Sequence, residues 1–212
     1  MTTPPPRMTR TEWRVAAFTA AYMLVWLGLS LFMGNREFLF YFVVMCCLIT
    51  AAFVIHRRVG FHPAALWGLS CWGLAHMAGG LMPVPATWPV LGETHVLYNL
   101  WLVPGVLKYD QFVHAMGFGL VTWICWQALV GAFRSRGTIL RPSFGLLVLC
   151  AAAGQGFGAA NEVVEFFAVL TLPGTNVGGY ENTGWDMVAN AIGSIMAAAL
   201  IGLFAKREPA GN

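Results

Sequence analysis

Charge is what this chain has least of. Of its 212 residues only 10% are charged, while 58% are hydrophobic. An ordinary soluble domain carries about 25% charged residues, so the shortage excludes a soluble globular protein and points to an integral membrane protein. Alternation is missing too. The apolar runs are continuous rather than of period two, which excludes a transmembrane barrel and leaves helices as the way to satisfy backbone polar groups in hydrocarbon. The 12 Lys and Arg do not gather with aromatics into a basic patch, so no nucleic acid partner is expected. Cysteine is sparse and unpaired. Cys46, Cys47, Cys71, Cys125 and Cys150 fall in apolar runs and form no C-x-x-C. They read as small buried hydrophobes rather than a disulfide frame or a zinc site.

What is present is a series of long apolar segments. Six of them, at about 13–33, 38–56, 63–82, 110–133, 142–172 and 184–205, meet or approach the ~20 residues needed to cross ~30 Å of hydrocarbon. The expected fold is therefore all-α, a polytopic membrane bundle of six transmembrane helices over residues 13–205, flanked by cytoplasmic tails 1–12 and 206–212. The first run is too long for a signal-peptide core and no A-x-A site follows it, so it reads as an uncleaved helix. Orientation follows from the basic residues. Arg7, Arg10, Arg14, Arg57, Arg58, Arg134, Arg136, Arg141, Lys206 and Arg207 fall on one side, Arg36 and Lys108 on the other. Both termini are then expected in the cytoplasm, with loops 83–109 and 173–183 facing outward.

The loop at 83–109 is rich in Pro, Trp and Tyr, and its THVLYNLWLVPG core is apolar but too short to span. An interfacial or re-entrant segment fits it, with Trp88, Tyr98 and Trp101 at headgroup level, either as a lid or as a plain aromatic belt.

The ionisable groups at membrane depth are few and specific. His76 lies in the third span, Asp110 and His114 in the fourth, Asn161, Glu162 and Glu165 in the fifth, and Asp186 and Asn190 in the sixth. At about 1.5 Å per residue, His76, His114, Glu162, Glu165 and Asn190 lie roughly 9, 6, 12, 8 and 9 Å below the outer helix ends. Their faces also agree. Ala151, Gly154, Gly158, Glu162 and Glu165 share one helix face, as do Asp186, Asn190, Gly193 and Ala197. Asp110, His114 and Gly117 share another, and so do Gly73, His76 and Gly80. Small residues let helices approach closely, so these carboxylates should point into the bundle.

Two His and four carboxylates at similar depth form one polar cluster on this reading. Carboxylates brought together cannot all ionise cheaply, and no Lys or Arg lies on these faces. A metal ion, protons shared with His or Asn, or both would resolve the conflict. Inward Glu and His on bundled helices are how carboxylate metal centres are built. A mixed N/O set of Asp110, His114, Glu162, Glu165 and Asp186 suits Zn, Mn or Fe. Glu162 and Glu165 are the expected catalytic groups, with His76 and Asn190 in support. The plainer alternatives are Asp110 and Asp186 as helix N-caps and His76 as a hydrogen-bonded core residue. His56, His62 and His95, in loops or at span ends, carry no expected role.

The stretches YDQFVHAMGFG, NEVVEFF and WDMVANAIGS resemble the uncharacterised YjdF-like inner-membrane proteins. More distantly they resemble the VanZ-like pattern of D-x-x-x-H, an acidic helix and D-x-x-x-N-x-x-G, with N-E-x-x-E here where VanZ-like proteins have E-x-x-Q. The resemblance covers about residues 76–205. It implies a bacterial inner (plasma) membrane location, a cell-envelope setting and a site at Asp110, His114, Glu162, Glu165, Asp186 and Asn190, without naming a reaction. Three functions remain open from the sequence. One is a metal-dependent enzyme acting on a membrane lipid or lipid-linked substrate at the outer leaflet. The second is a proton-coupled transporter, and the third an accessory subunit held by a partner in a larger membrane complex.

Overall fold

A computed structural model describes residues 8–205. Most of both predicted tails, 1–7 and 206–212, lies outside the described residues, and with them Arg7, Lys206 and Arg207. Among the described residues there are six α-helices: α1 (Arg10–Phe32), α2 (Arg36–Val59), α3 (Pro63–Leu81), α4 (Tyr109–Arg134), α5 (Phe144–Thr171) and α6 (Tyr180–Ala205). Five of them are long and apolar enough to cross a membrane. The remaining helix, α3, has 19 residues, and Trp, Gly, Ser and His dilute its apolar character.

Local chemistry explains where the helices begin and end. Thr9 and Glu12 form a reciprocal capping box at the start of α1, which satisfies two backbone N–H groups that have no partner inside the helix. The Asn35 carboxamide oxygen accepts from the Phe38 N–H and opens α2. The α2 helix stops at Gly60, which sits at φ 72° in the left-handed region that glycine tolerates. Pro63 occupies the first turn of α3, where its missing N–H costs nothing. Ser143 caps α5.

The contacts between termini define two ends of the bundle. At one, the His56 imidazole bonds the Glu12 carboxylate at 2.8 Å, joining the start of α1 to the end of α2. Nearby, the His62 N–H donates to the Gln127 side chain at 2.6 Å. His56 and His62, given no role from sequence, thus fasten helix ends. At the opposite end, the Asn176 N–H donates to Glu37 at 2.9 Å and Lys108 donates to Asn182. The loop before α6 is thereby joined to the start of α2, and the first turn of α6 to the residue that precedes α4.

Helices α4, α5 and α6 form the most intimate unit; α3 carries α1 against α4, and α2 packs on α1 and touches α4 directly. In lipid the hydrophobic effect does little to press helices together, so close backbone approach matters more. A Cβ on Gly193 would sit 1.9 Å from the Ala115 carbonyl oxygen, and one on Gly119 would sit 2.9 Å from the Gly193 oxygen. These two positions let α4 and α6 touch backbone to backbone. A separate apolar cluster of Tyr22, Met23, Trp26, Phe38, Tyr41, Met77, Leu81 and Ala168 joins α1, α2, α3 and α5.

The stretch 82–108, expected as an interfacial or re-entrant segment, adds a little β-structure to the all-α expectation. Bridges pair Pro83 with Val96 and Val90 with Leu100. A short 3-10 turn (Leu97–Asn99) leads into an antiparallel hairpin of β1 (Trp101–Val103) and β2 (Leu107–Lys108). Pro83, Pro85, Pro89 and Pro104 deny this stretch a continuous helix. The cap is pinned to α3. The Tyr98 hydroxyl donates to the His76 carbonyl at 2.7 Å, and just beyond the cap the first residue of α4, Tyr109, donates its hydroxyl to the Ala75 carbonyl at 2.9 Å. Burial pushes the Tyr98 phenol well above its usual range, so it stays a neutral donor. Its ring occupies the space beside Gly79, where a Cβ would lie 2.3 Å away.

The cysteines also depart from expectation. Among them only Cys150 is buried; Cys125 is half-buried, and Cys46, Cys47 and Cys71 are exposed on the helix surfaces. In a membrane bundle an apolar exposed face is the face offered to lipid, so a small hydrophobe need not be interior.

Candidate functional site

The site is built where α4, α5 and α6 meet. Spacing in α4 puts Asp110 and His114 one above the other, four residues apart on one face. The His114 Nε2 lies 3.6 Å from an Asp110 oxygen. The other ring nitrogen, Nδ1, lies 3.0 Å from the Asn190 carboxamide oxygen of α6 and 3.6 Å from a Glu162 oxygen of α5. Asn190 is fully buried and fits because Gly158 has no side chain. A Cβ there would meet the Asn190 amide nitrogen at 2.6 Å. The sequence stripe Gly154, Gly158, Glu162 is thus the buried face of α5.

Five residues expected from sequence fall into two groups that share His114. Ligand atoms of Asp110, His114 and Asp186 all lie within 4.8 Å of one another, as do those of His114, Glu162 and Glu165. Both oxygens of Glu162, one of Asp186 and the amide nitrogen of Asn190 are buried without a hydrogen-bond partner. Buried polar groups are ordinarily paired, so these atoms demand a partner of another kind.

His76 stands apart from this cluster. Its ring lies among Tyr41, Trp72 and Tyr98, with centroids 6.4, 6.4 and 5.7 Å away, and it belongs to neither ligand group. Asp186 is not an N-cap. Helix α6 begins at Tyr180, earlier than the apolar pattern suggested, which places Asp186 in the second turn. Asp110 is not a cap either, since Lys108 occupies that position and its N–H donates to Gln111.

Two residues were missed by sequence reading. Lys108 precedes α4, yet its ammonium lies 3.6 Å from Asp110 and bonds Asn182. The cluster therefore has one cationic neighbour, against the expectation of none. Asn182 bridges the aspartates, donating to Asp186 at 2.5 Å and approaching Asp110 at 3.4 Å. The i,i+4 spacing of Asn182 and Asp186 was a usable signal, hidden because the stretch 180–183 looked like loop. Asn161 donates to Glu165 at 2.9 Å and fixes that carboxylate.

Above the cluster lies a cavity of about 1040 Å³, lined at its floor by Asp110 and Glu165 and walled by the β cap, the start of α2 and the start of α6. Comparison with known proteins adds one positive result. No curated protein and no solved structure matches the chain. A family model described as "Predicted membrane protein (DUF2238)" matches residues 13–207, which accords with the YjdF-like character of the three motifs. This span is nearly the whole chain, and the protein belongs to that family of predicted integral membrane proteins.

Proposed function

We propose that the protein is a six-span membrane enzyme with both termini in the cytoplasm. On this reading a divalent metal centre in the outer half of the bilayer acts on a lipid or lipid-linked substrate. The observation that carries it is the setting of the two His114 ring nitrogens, one on the Asn190 carboxamide oxygen and one beside the Asp110 carboxylate. Asn190 presents a carbonyl oxygen at 3.0 Å, so Nδ1 holds the proton and donates. The lone pair of Nε2 then faces the Asp110 carboxylate at 3.6 Å. Two acceptors face each other at a distance too long for a hydrogen bond. Ligand atoms about 2.1 Å from a tetrahedral metal lie roughly 3.4 Å apart, so a shared cation suits this gap.

Asp110, His114 and Asp186 are the first three ligands on this reading, with Zn, Mn or Fe matching the mixed N/O set. Asn190 and Asn182 orient them, as outer hydrogen-bond partners do in metal sites. Glu162 and Glu165, on the other side of the imidazole, are placed to take and return a proton or to complete the coordination. A bound ion would supply a water of lowered pKa. The basic residues at the Glu12–His56 end support the orientation.

Elemental analysis of protein purified gently without chelator tests the centre. The expected result is about one divalent ion per chain, lost in His114→Ala. Wild-type protein that carries no stoichiometric metal, and takes up none on addition of Zn, Mn or Fe salts, removes the reading.

A further inference from the structure

The cavity above the cluster has a strongly one-sided charge. Glu37, Glu93, Asp110, Glu165 and Glu181 line it, while Lys108 is its single Lys or Arg among the described residues. Lys108 is already held by Asn182 and sits beside Asp110. Among the described residues no salt bridge reaches Glu37, Glu93 or Glu181. Even with the floor neutralised by a metal ion, three carboxylates above it lack a cation. A cleft of one sign with low-dielectric walls concentrates ions of the other.

The walls add a second feature. Tyr41, Tyr98, Trp101 and Trp185 border the same space, and aromatic faces next to carboxylates are how ammonium groups are held. Tyr41 is only 8% exposed, and its buried hydroxyl, whose neighbour is the Glu37 carboxylate, makes no well-formed hydrogen bond within the chain. A neutral ligand would give no reason for the excess negative charge, and an anionic one would be repelled by it.

We propose that this cavity is a recognition site for an ammonium group, carried by the head of an aminophospholipid. The ammonium site needs the cavity alone; that a phospholipid carries the ammonium, and what becomes of it at the metal, rest on the proposed function.

The test is calorimetric titration of the full chain in mild detergent, both metal-loaded and chelator-treated. The probes are dihexanoyl phosphatidylethanolamine, dihexanoyl phosphatidylglycerol and hexyl glucoside, with free phosphoethanolamine as competitor. The two phospholipids share a phosphate, so their difference isolates the amine. Phosphatidylethanolamine is expected to bind at least tenfold more tightly than the other two. Competition by phosphoethanolamine upholds the ammonium site and shows whether the acyl chains contribute. Glu93→Gln/Glu181→Gln, at exposed positions, should fold normally and lose most of the preference; adding Glu37→Gln should abolish it. Equal affinity for the three probes, tighter binding of the glycerol or sugar compound, or a preference untouched by the substitutions would overturn the proposal. An ammonium preference in protein that binds no metal leaves this site standing and removes the metal centre. Metal binding without the preference does the reverse.

Discussion

His114 is the residue on which most of the site turns. One nitrogen is committed to Asn190 and the other lies 3.6 Å from Asp110. Replacing Asn190 with Ala leaves a buried N–H of His114 unpaired, which costs about 1–3 kcal/mol. It also frees the ring to rotate. Loss of such an outer partner typically lowers metal affinity by about 10- to 100-fold. A competition titration against a coloured chelator should show that drop in Asn190→Ala, and an unchanged affinity would mean that the amide does not position the ring. Glu162 offers the opposite sign. Both its oxygens are buried and make no hydrogen bond, so without metal an ionised carboxylate is a liability. Glu162→Gln keeps the volume and removes the charge. It should raise the melting temperature of chelator-treated protein while reducing metal retention. A lower melting temperature would show that Glu162 already has an adequate partner inside the chain.

At the scale of elements, the site exists because α4 and α6 can touch. Gly193 has no room for a Cβ, since the nearest atom would be backbone rather than a flexible side chain. Gly193→Ala must push the two helices apart. Overpacking of this kind costs about 1–3 kcal/mol, and the shift separates Asn190 from His114, three residues away on α6. We expect lower thermal stability together with loss of bound metal. Gly145→Ala is the control, because a Cβ there meets nothing within 4 Å. Equal behaviour of the two variants would refute the close-packing argument. The β cap works differently. It is held to α3 by the Tyr98 hydroxyl, rests its 3-10 turn on α3 and α4, and walls the cavity.

For the whole molecule, the two ends of the bundle differ in chemistry. Arg10, Arg14, Arg57, Arg58, Arg134, Arg136 and Arg141 belong to helix ends and loops on the side of the Glu12–His56 pair. The β cap, the cavity and the carboxylates belong to the other. Basic residues are retained on the cytoplasmic side, so the cavity should open to the opposite face. Reporter fusions check this directly. A periplasm-active phosphatase inserted in the loop at 92 should be active, and the same enzyme fused after residue 212 should be silent. Activity at the C-terminal fusion would invert the model and place the cavity in the cytoplasm.

Helix identity and the buried faces were legible in the amino-acid sequence because both are local. Hydropathy over ~20 residues marks a span, and the 3.6-residue period puts Gly154, Gly158 and Glu162 on one stripe whatever lies opposite. Shared faces and similar depth pointed to one cluster of His76, Asp110, His114, Glu162, Glu165 and Asp186, and the structure gathers all but His76 into two groups that share His114. Tertiary structure decided the rest, because it depends on residues far apart in the chain. Lys108 counted in the sequence only as a basic residue on the outer side, until α6 brought Asn182 to it. The start of α6 was hidden in a polar stretch whose helix is stabilised by contacts with α4. His76 shares the depth of the cluster, yet α3 turns it into an aromatic surround instead. Local pattern sets which side chains are presented and at what height; only the packing of one helix on another determines which of them meet.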